Sequence, residues 1–108
     1  MSVTLFAKLT EFRLYPAAAD DLDDIWRYSA ESWSVEQADR FIDDLVRTFE
    51  LLVSVPEIAG ERKEFDPPVR IHVHGLHLIV YVIAGDHISI LRVLGGRQDW
   101  RQILDALD

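Results

Sequence analysis

The stretch Val69 to Asp99, VRIHVHGLHLIVYVIAGDHISILRVLGGRQD, decides the fold. It holds three apolar, β-branched runs separated by Gly75-Leu76 and Gly85-Asp86, and it closes on Gly95-Gly96-Arg97. Two-residue glycine turns between such runs predict a three-stranded antiparallel meander. If each turn holds two residues, His74 pairs with His77, His72 with Ile79 and Arg70 with Tyr81. The second turn likewise opposes Ala84 to His87, Tyr81 to Ile90 and Ile79 to Arg92. Opposed residues share a face. One face then carries Val69, Ile71, Val73, Leu78, Val80, Val82, Ala84, Ser89, Leu91 and Val93, with His87 at its end, and it is expected to pack on the helical hairpin. The other carries Arg70, His72, His74, His77, Ile79, Tyr81, Ile83, Ile88, Ile90, Arg92 and Leu94. An apolar centre rimmed by arginines and aromatic residues is the composition of a binding surface. The alternative is that the termini cover this face and local carboxylates pair the arginines.

Outward from the sheet, the N-terminal half reads as helical. Residues 1–9 show no periodicity and read as a flexible extension. The alternation from Thr10 to Leu14 suits a short strand added to the sheet. Pro16 fits a first helical turn, and Leu22, Ile25, Trp26, Ser29 and Trp33 recur at helical spacing. Asp20, Asp21, Asp23 and Asp24 are expected on the solvated start of that helix, where its dipole favours negative charge. Ser34-Val35-Glu36-Gln37 is a capping box. It opens a second helix with Ala38, Phe41, Ile42, Leu45, Phe49, Leu52 and Val53 along one stripe, ended by Val55-Pro56. So short a linker predicts an antiparallel helical hairpin. On its outer face, Arg40 with Asp43 or Asp44, and Asp43 with Arg47, stand at pairing distances. Residues 56–68 read as a polar loop, and Asp99 caps a short terminal helix. The fold class is α+β: an N-terminal strand, a two-helix hairpin on a three- to four-stranded antiparallel sheet, and a short C-terminal helix, within one domain spanning 1–108.

Composition narrows the function classes. The chain has 108 residues, no cysteine and a formal net charge of −8. Five basic residues stand against eleven acidic ones in 1–54, and six against eight in 55–108. An acidic domain repels phosphate backbones, so direct nucleic-acid binding by the chain alone is not expected. No apolar run approaches the roughly 18 residues of a membrane span, and the lack of cysteine fits a reducing cytoplasm. His72, His74 and His77 alternate along one face, but no carboxylate or thiolate closes a metal shell around them; no metal and no cofactor are expected. No nucleophile motif or phosphate-cradling glycine loop is present. Arg70, Arg92 and Arg97 with Tyr81 have the makings of a metal-independent ribonuclease, for which His77 and Tyr81 are the only proton-transfer candidates.

Two long stretches resemble a known family. FRLYPAAADDLDDIWRYSAESWSVEQADRFIDDL, residues 12–45, is similar to the N-terminal half of ParE-type toxins of bacterial toxin–antitoxin pairs. The Val69–Asp99 stretch resembles their sheet and terminal motif. The resemblance spans roughly residues 11–101. It implies the RelE/ParE toxin fold, a ParD-like antitoxin in a hetero-oligomer such as 2:2, and DNA gyrase as the target of a non-enzymatic toxin. The related RelE branch cleaves messenger RNA on the ribosome and is the alternative, with a degenerate toxin that only binds its antitoxin as a third. By resemblance Arg70, Tyr81, Arg92, Arg97 and His77 form a sheet surface facing target or antitoxin. An amphipathic antitoxin helix is expected to lie along the hairpin of residues 17–55, with Trp26, Trp33 and Phe49 as candidate anchors. Gly95 stands where the family commonly carries His before Gly-Arg, Leu76 stands where an Arg often occurs, and no Tyr follows Tyr81. These departures count against nuclease chemistry.

Overall fold

The computed structural model describes residues 11–106; the expected extension over residues 1–9 lies outside them. Strand β1 (Glu11–Leu14) leads into helix α1 (Pro16–Ser32) and helix α2 (Val35–Ser54). Strands β2 (Glu61–Arg62), β3 (Val69–His74), β4 (His77–Ala84) and β5 (His87–Gly95) follow, and helix α3 (Trp100–Asp105) comes last. The sheet order is β1-β5-β4-β3-β2, with β1 parallel to β5 and the other pairings antiparallel. This is the α+β architecture expected. The addition is β2, two residues inside the predicted polar loop, which pair with Arg70 and Val69.

Local chemistry explains the elements. Pro16 sits in the first turn of α1, where its missing N–H goes unneeded. The Ser34 hydroxyl accepts from the Gln37 amide at 3.0 Å and starts α2. The Asp99 carboxylate accepts from the Gln102 amide at 3.4 Å and starts α3. Gly75 and Gly85 take positive φ of 60° and 65° in the two tight turns, a region open to glycine at little steric expense. Both turns therefore set the registers predicted nearby: Arg70 opposite Tyr81, His72 opposite Ile79, Tyr81 opposite Ile90 and Ala84 opposite His87.

Beyond Tyr81 the predicted register fails. A bulge makes Val80 face Arg92 and Ile79 face Val93, leaving Leu91 as the extra residue. Ile79 therefore does not oppose Arg92.

The assignment of the faces is also corrected. Ile79, Tyr81, Ile88, Ile90 and Val93 pack with Ala18, Leu45, Phe49 and Leu52 of the hairpin. The opposite face, with Val69, Val80, Leu91 and Leu94, is covered by Phe65 and by Leu104 of α3. The helices thus lie on the face that the sequence reading had turned toward a partner. Both faces are rich in aliphatic side chains, so alternation separates them without showing which one the hairpin meets. Each large side chain fully buried in either layer contributes roughly 1.5–3 kcal/mol.

Candidate functional site

Inverting the faces withdraws most of the expected sheet surface from solvent. Tyr81 is 0% exposed, and its hydroxyl donates to the Pro56 carbonyl at 2.7 Å. Burial pushes its phenol pKa up from the ordinary value, so the proton stays on. Arg70 donates to the Ala59 carbonyl at 2.6 Å. Arg92 forms a bidentate pair with Asp21 at 2.8 and 2.9 Å, and the two hydrogen bonds it donates to that carboxylate raise its pKa further and hold the guanidinium charged. Asp21 is therefore no solvated helix-start residue. It also accepts the Val93 amide at 2.9 Å, on the edge of β5 that β1 no longer covers beyond Ile90. The Gln98 side chain does the same for the Gly95 amide at 2.6 Å. Side chains thus continue a ladder that the backbone leaves off.

The three proposed helix anchors also separate. Phe49 is 0% exposed and stacks at a tilt on Phe12, with ring centroids 5.2 Å apart; it is core, not anchor. Trp26 is half-buried and donates its indole N–H to Asp39 at 2.8 Å, tying α1 to α2. Only Trp33 stands out, 73% exposed at the end of α1.

Trp33 lies on a cleft of about 1020 Å³ between the hairpin and the end of β5. Ile25, Phe41 and Val93 supply apolar lining, Tyr28 (70% exposed) adds a second aromatic, and His77 and Arg97 line it as well. The structure thus gathers Trp33, His77 and Arg97 from the expected residues and leaves Arg70, Tyr81, Arg92, Trp26 and Phe49 elsewhere. The Phe41 ring packs against both His77 and His74, at 5.3 and 6.1 Å between centroids. His74 Nδ1 lies 3.1 Å from the Thr48 hydroxyl. The Nδ1 of His77 is buried without a hydrogen-bond partner among the described residues. Burial first, and then neighbouring His74, lower the His77 pKa and keep its ring neutral near pH 7.

Sequence reasoning missed Tyr28, Arg40, Phe41, Asp21 and Gln98 as cleft residues. Tyr28 gave one usable signal: an aromatic lying off the apolar stripe of its own helix. The others depend on the docking of α1, α2 and the terminal turn against β5, which no local pattern encodes.

The chain that builds this open, aromatic-lined cleft meets a clear match. Residues 12–100 fit the family model described as ParE toxin of type II toxin-antitoxin system, parDE. The chain belongs to the ParE toxin family. It is 35% identical over 83 residues to Toxin ParE1 of Caulobacter vibrioides, covering 77% of this chain and 85% of that protein. It is 30% identical over 91 residues to Toxin ParE1 of Mycobacterium tuberculosis, covering 83% of this chain and 93% of that one. Among solved structures, one titled "Chromosomal ParDE TA system from P. aeruginosa" superposes with a TM-score of 0.70 at 23% identity, covering 82% of this chain and 97% of that chain. This ParE-family chain therefore shares its fold with a solved relative across most of both molecules.

Proposed function

We propose that this ParE toxin acts in the cytoplasm by binding DNA gyrase without catalysing a reaction, and that a ParD-like antitoxin neutralises it by occupying the cleft beside Trp33. The observation that carries this reading is that the groups a RelE-like ribonuclease would use are already engaged within the fold. Tyr81 is sealed under the hairpin with its hydroxyl donating to the Pro56 carbonyl, Arg92 is clamped by Asp21, and Arg70 is held on the Ala59 carbonyl. General acid–base catalysis needs a proton-transfer group within reach of substrate; here the tyrosine faces the core. An exposed aromatic cleft, by contrast, is the composition of a protein-docking site. The pairing with an antitoxin is supported by its relatives, the ParE1 toxins, and by the fold it shares with a chain of a ParDE toxin–antitoxin system.

Purified protein is to be added to a gyrase supercoiling assay and to an in-vitro translation reaction. Loss of supercoiling with intact translation is expected. Arrested translation with intact supercoiling overturns the reading in favour of the ribonuclease, and normal growth after induced expression points to a chain that only binds its antitoxin. Light scattering of the co-purified complex measures the hetero-oligomer, for which a 2:2 assembly is expected.

A further inference from the structure

The sheet has two outer edges, and the chain guards only one of them with charge. Along its four residues β1 carries Glu11 and Arg13, both exposed, which discourages pairing with another chain. On the other side β2 covers β3 only at Arg70 and Val69. The chain before Glu61 leaves the sheet there, because Ala59 packs on the hairpin core and its carbonyl accepts from Arg70. Residues 71–74 therefore have no strand on their outer side among the described residues. Pairing parity sets what this edge offers. His74 and His77 flank the two-residue turn and form a hydrogen-bonded pair, from which bonded and non-bonded pairs alternate back along β3. The N–H and C=O groups of His72 and His74 thus point at β4, and those of Ile71 and Val73 point away from it. No lysine or carboxylate blunts this edge: β3 has neither, and no carboxylate occurs in residues 67–85 of a chain with net charge −8. Val73, 62% exposed, and Leu76, 78% exposed, leave apolar surface at the same place.

We propose that this edge pairs with the same edge of a second copy of the chain, antiparallel about a two-fold axis at Val73. Residues opposed across an antiparallel pair share a face, so the axis of a symmetric pairing passes through a residue. An axis at His72 would bring His74 of the second copy to the place beside Arg70 that Glu61 already holds. An axis at Val73 avoids that overlap. The two Val73 residues then exchange a pair of main-chain hydrogen bonds, and Ile71 reaches Gly75 of the second copy. Val73 also covers its own symmetry mate, removing apolar surface from water on both copies. Two such acidic chains approach with least repulsion along a strand that has no carboxylate. The pairing uses the same patch on both copies and consumes it, so it stops at a dimer. So few strand residues bury less than the roughly 1,200 Å² of a stable complex, and the dimer is reversible, with a Kd on the order of 10–100 µM. None of residues 71–74 lines the cleft, so the surface is separate from the one assigned to the antitoxin.

The test is sedimentation velocity of the full-length chain between about 5 and 500 µM, over which the wild type is expected to move from monomer toward dimer. Val73→Lys and Val73→Glu are each expected to stay monomeric, because like charges then meet at the axis. An equimolar mixture of the two is expected to dimerise, since opposite charges meet there instead. L51K, which places a charge on the exposed surface of α2, is expected to dimerise like the wild type. Amide hydrogen exchange on the wild type needs no variant. The Ile71 and Val73 amides are expected to gain protection as concentration rises, while those of His72 and His74, already bonded to β4, stay unchanged. A wild type that is monomeric throughout overturns the proposal, as does a V73K that dimerises like the wild type. A V73K and V73E mixture that stays monomeric, or a dimer that protects amides elsewhere and leaves Ile71 and Val73 unprotected, overturns it too. If the wild type is monomeric and V73K weakens binding of the protein encoded beside the toxin gene, the edge serves the antitoxin and the self-pairing fails.

Discussion

Asp21 and Arg92, separated by 71 positions in the chain, meet through two hydrogen bonds of 2.8 and 2.9 Å, and the same carboxylate accepts the Val93 amide. The pair fastens α1 to β5 just past the bulge at Leu91, at one wall of the cleft. Both side chains are largely shielded, with 21% of Arg92 and 13% of Asp21 exposed, so water screens them less than a surface pair.

Asp21→Ala removes all three bonds and leaves a half-buried cation and a strand amide without acceptor. A loss of about 2–4 kcal/mol is expected, measured by urea denaturation. Arg92→Met should cost a similar amount, and the double variant less than the sum, because the two residues act on one interaction. A change in D21A no larger than about 0.5 kcal/mol, typical of a surface site, would show that the pair contributes nothing.

Phe49 and Trp33 are both large aromatics on the hairpin, and the structure gives them opposite roles. Phe49→Ala should destabilise by about 3–5 kcal/mol through lost burial and a cavity against Phe12. Trp33→Ala should shift stability by about 0.5 kcal/mol or less, while weakening antitoxin binding. Thermal melts and a binding titration on both variants check the pair together; equal melting losses would contradict the assignment.

Tyr81→Phe deletes the hydrogen bond to Pro56 and should lower stability by about 0.5–1.5 kcal/mol. Growth arrest and gyrase inhibition per folded molecule should remain at the wild-type level. Loss of a true proton-transfer residue would instead reduce activity on the order of a hundredfold or more.

The pH dependence follows from His72 and His77, whose pKa values burial lowers. A base with a depressed folded pKa binds its proton more readily in the unfolded chain. Stability is therefore at its full value above the ordinary imidazole pKa of about 6.5 and falls as pH drops below it. Exposed carboxylates such as Glu64, whose pKa its Arg62 hydrogen bond lowers, keep their contribution through this range and lose it only in more acidic solution. His77→Leu removes a buried nitrogen that lacks a partner and should be neutral or mildly stabilising near pH 7. It should also flatten the fall in stability below about pH 6.5, read by denaturation across pH. An unchanged slope in that variant would place the titration elsewhere.

How much of this was legible in the residues depends on the range of the interaction involved. Pro16, the Ser34 box, Asp99 and the glycines at 75 and 85 act within four residues of themselves. They set the helices, the caps and the register on either side of each turn, all of which the structure repeats. The same local patterns, taken in series, carried the resemblance to ParE-type toxins. Two things escaped them. Alternation divides a sheet into two faces but assigns neither when both are aliphatic, so the hairpin expected on the Val69 and Val80 face lies instead with Phe49 and Leu45 against Ile79 and Tyr81. The bulge at Leu91 then shifts the strand by one residue, bringing Val93 onto the hairpin side and Leu94 onto the α3 side. With those two facts the expected binding face became core. The candidate site moved to a cleft whose walls come from α1, α2 and the end of β5, brought together only by the packing of the hairpin on the sheet.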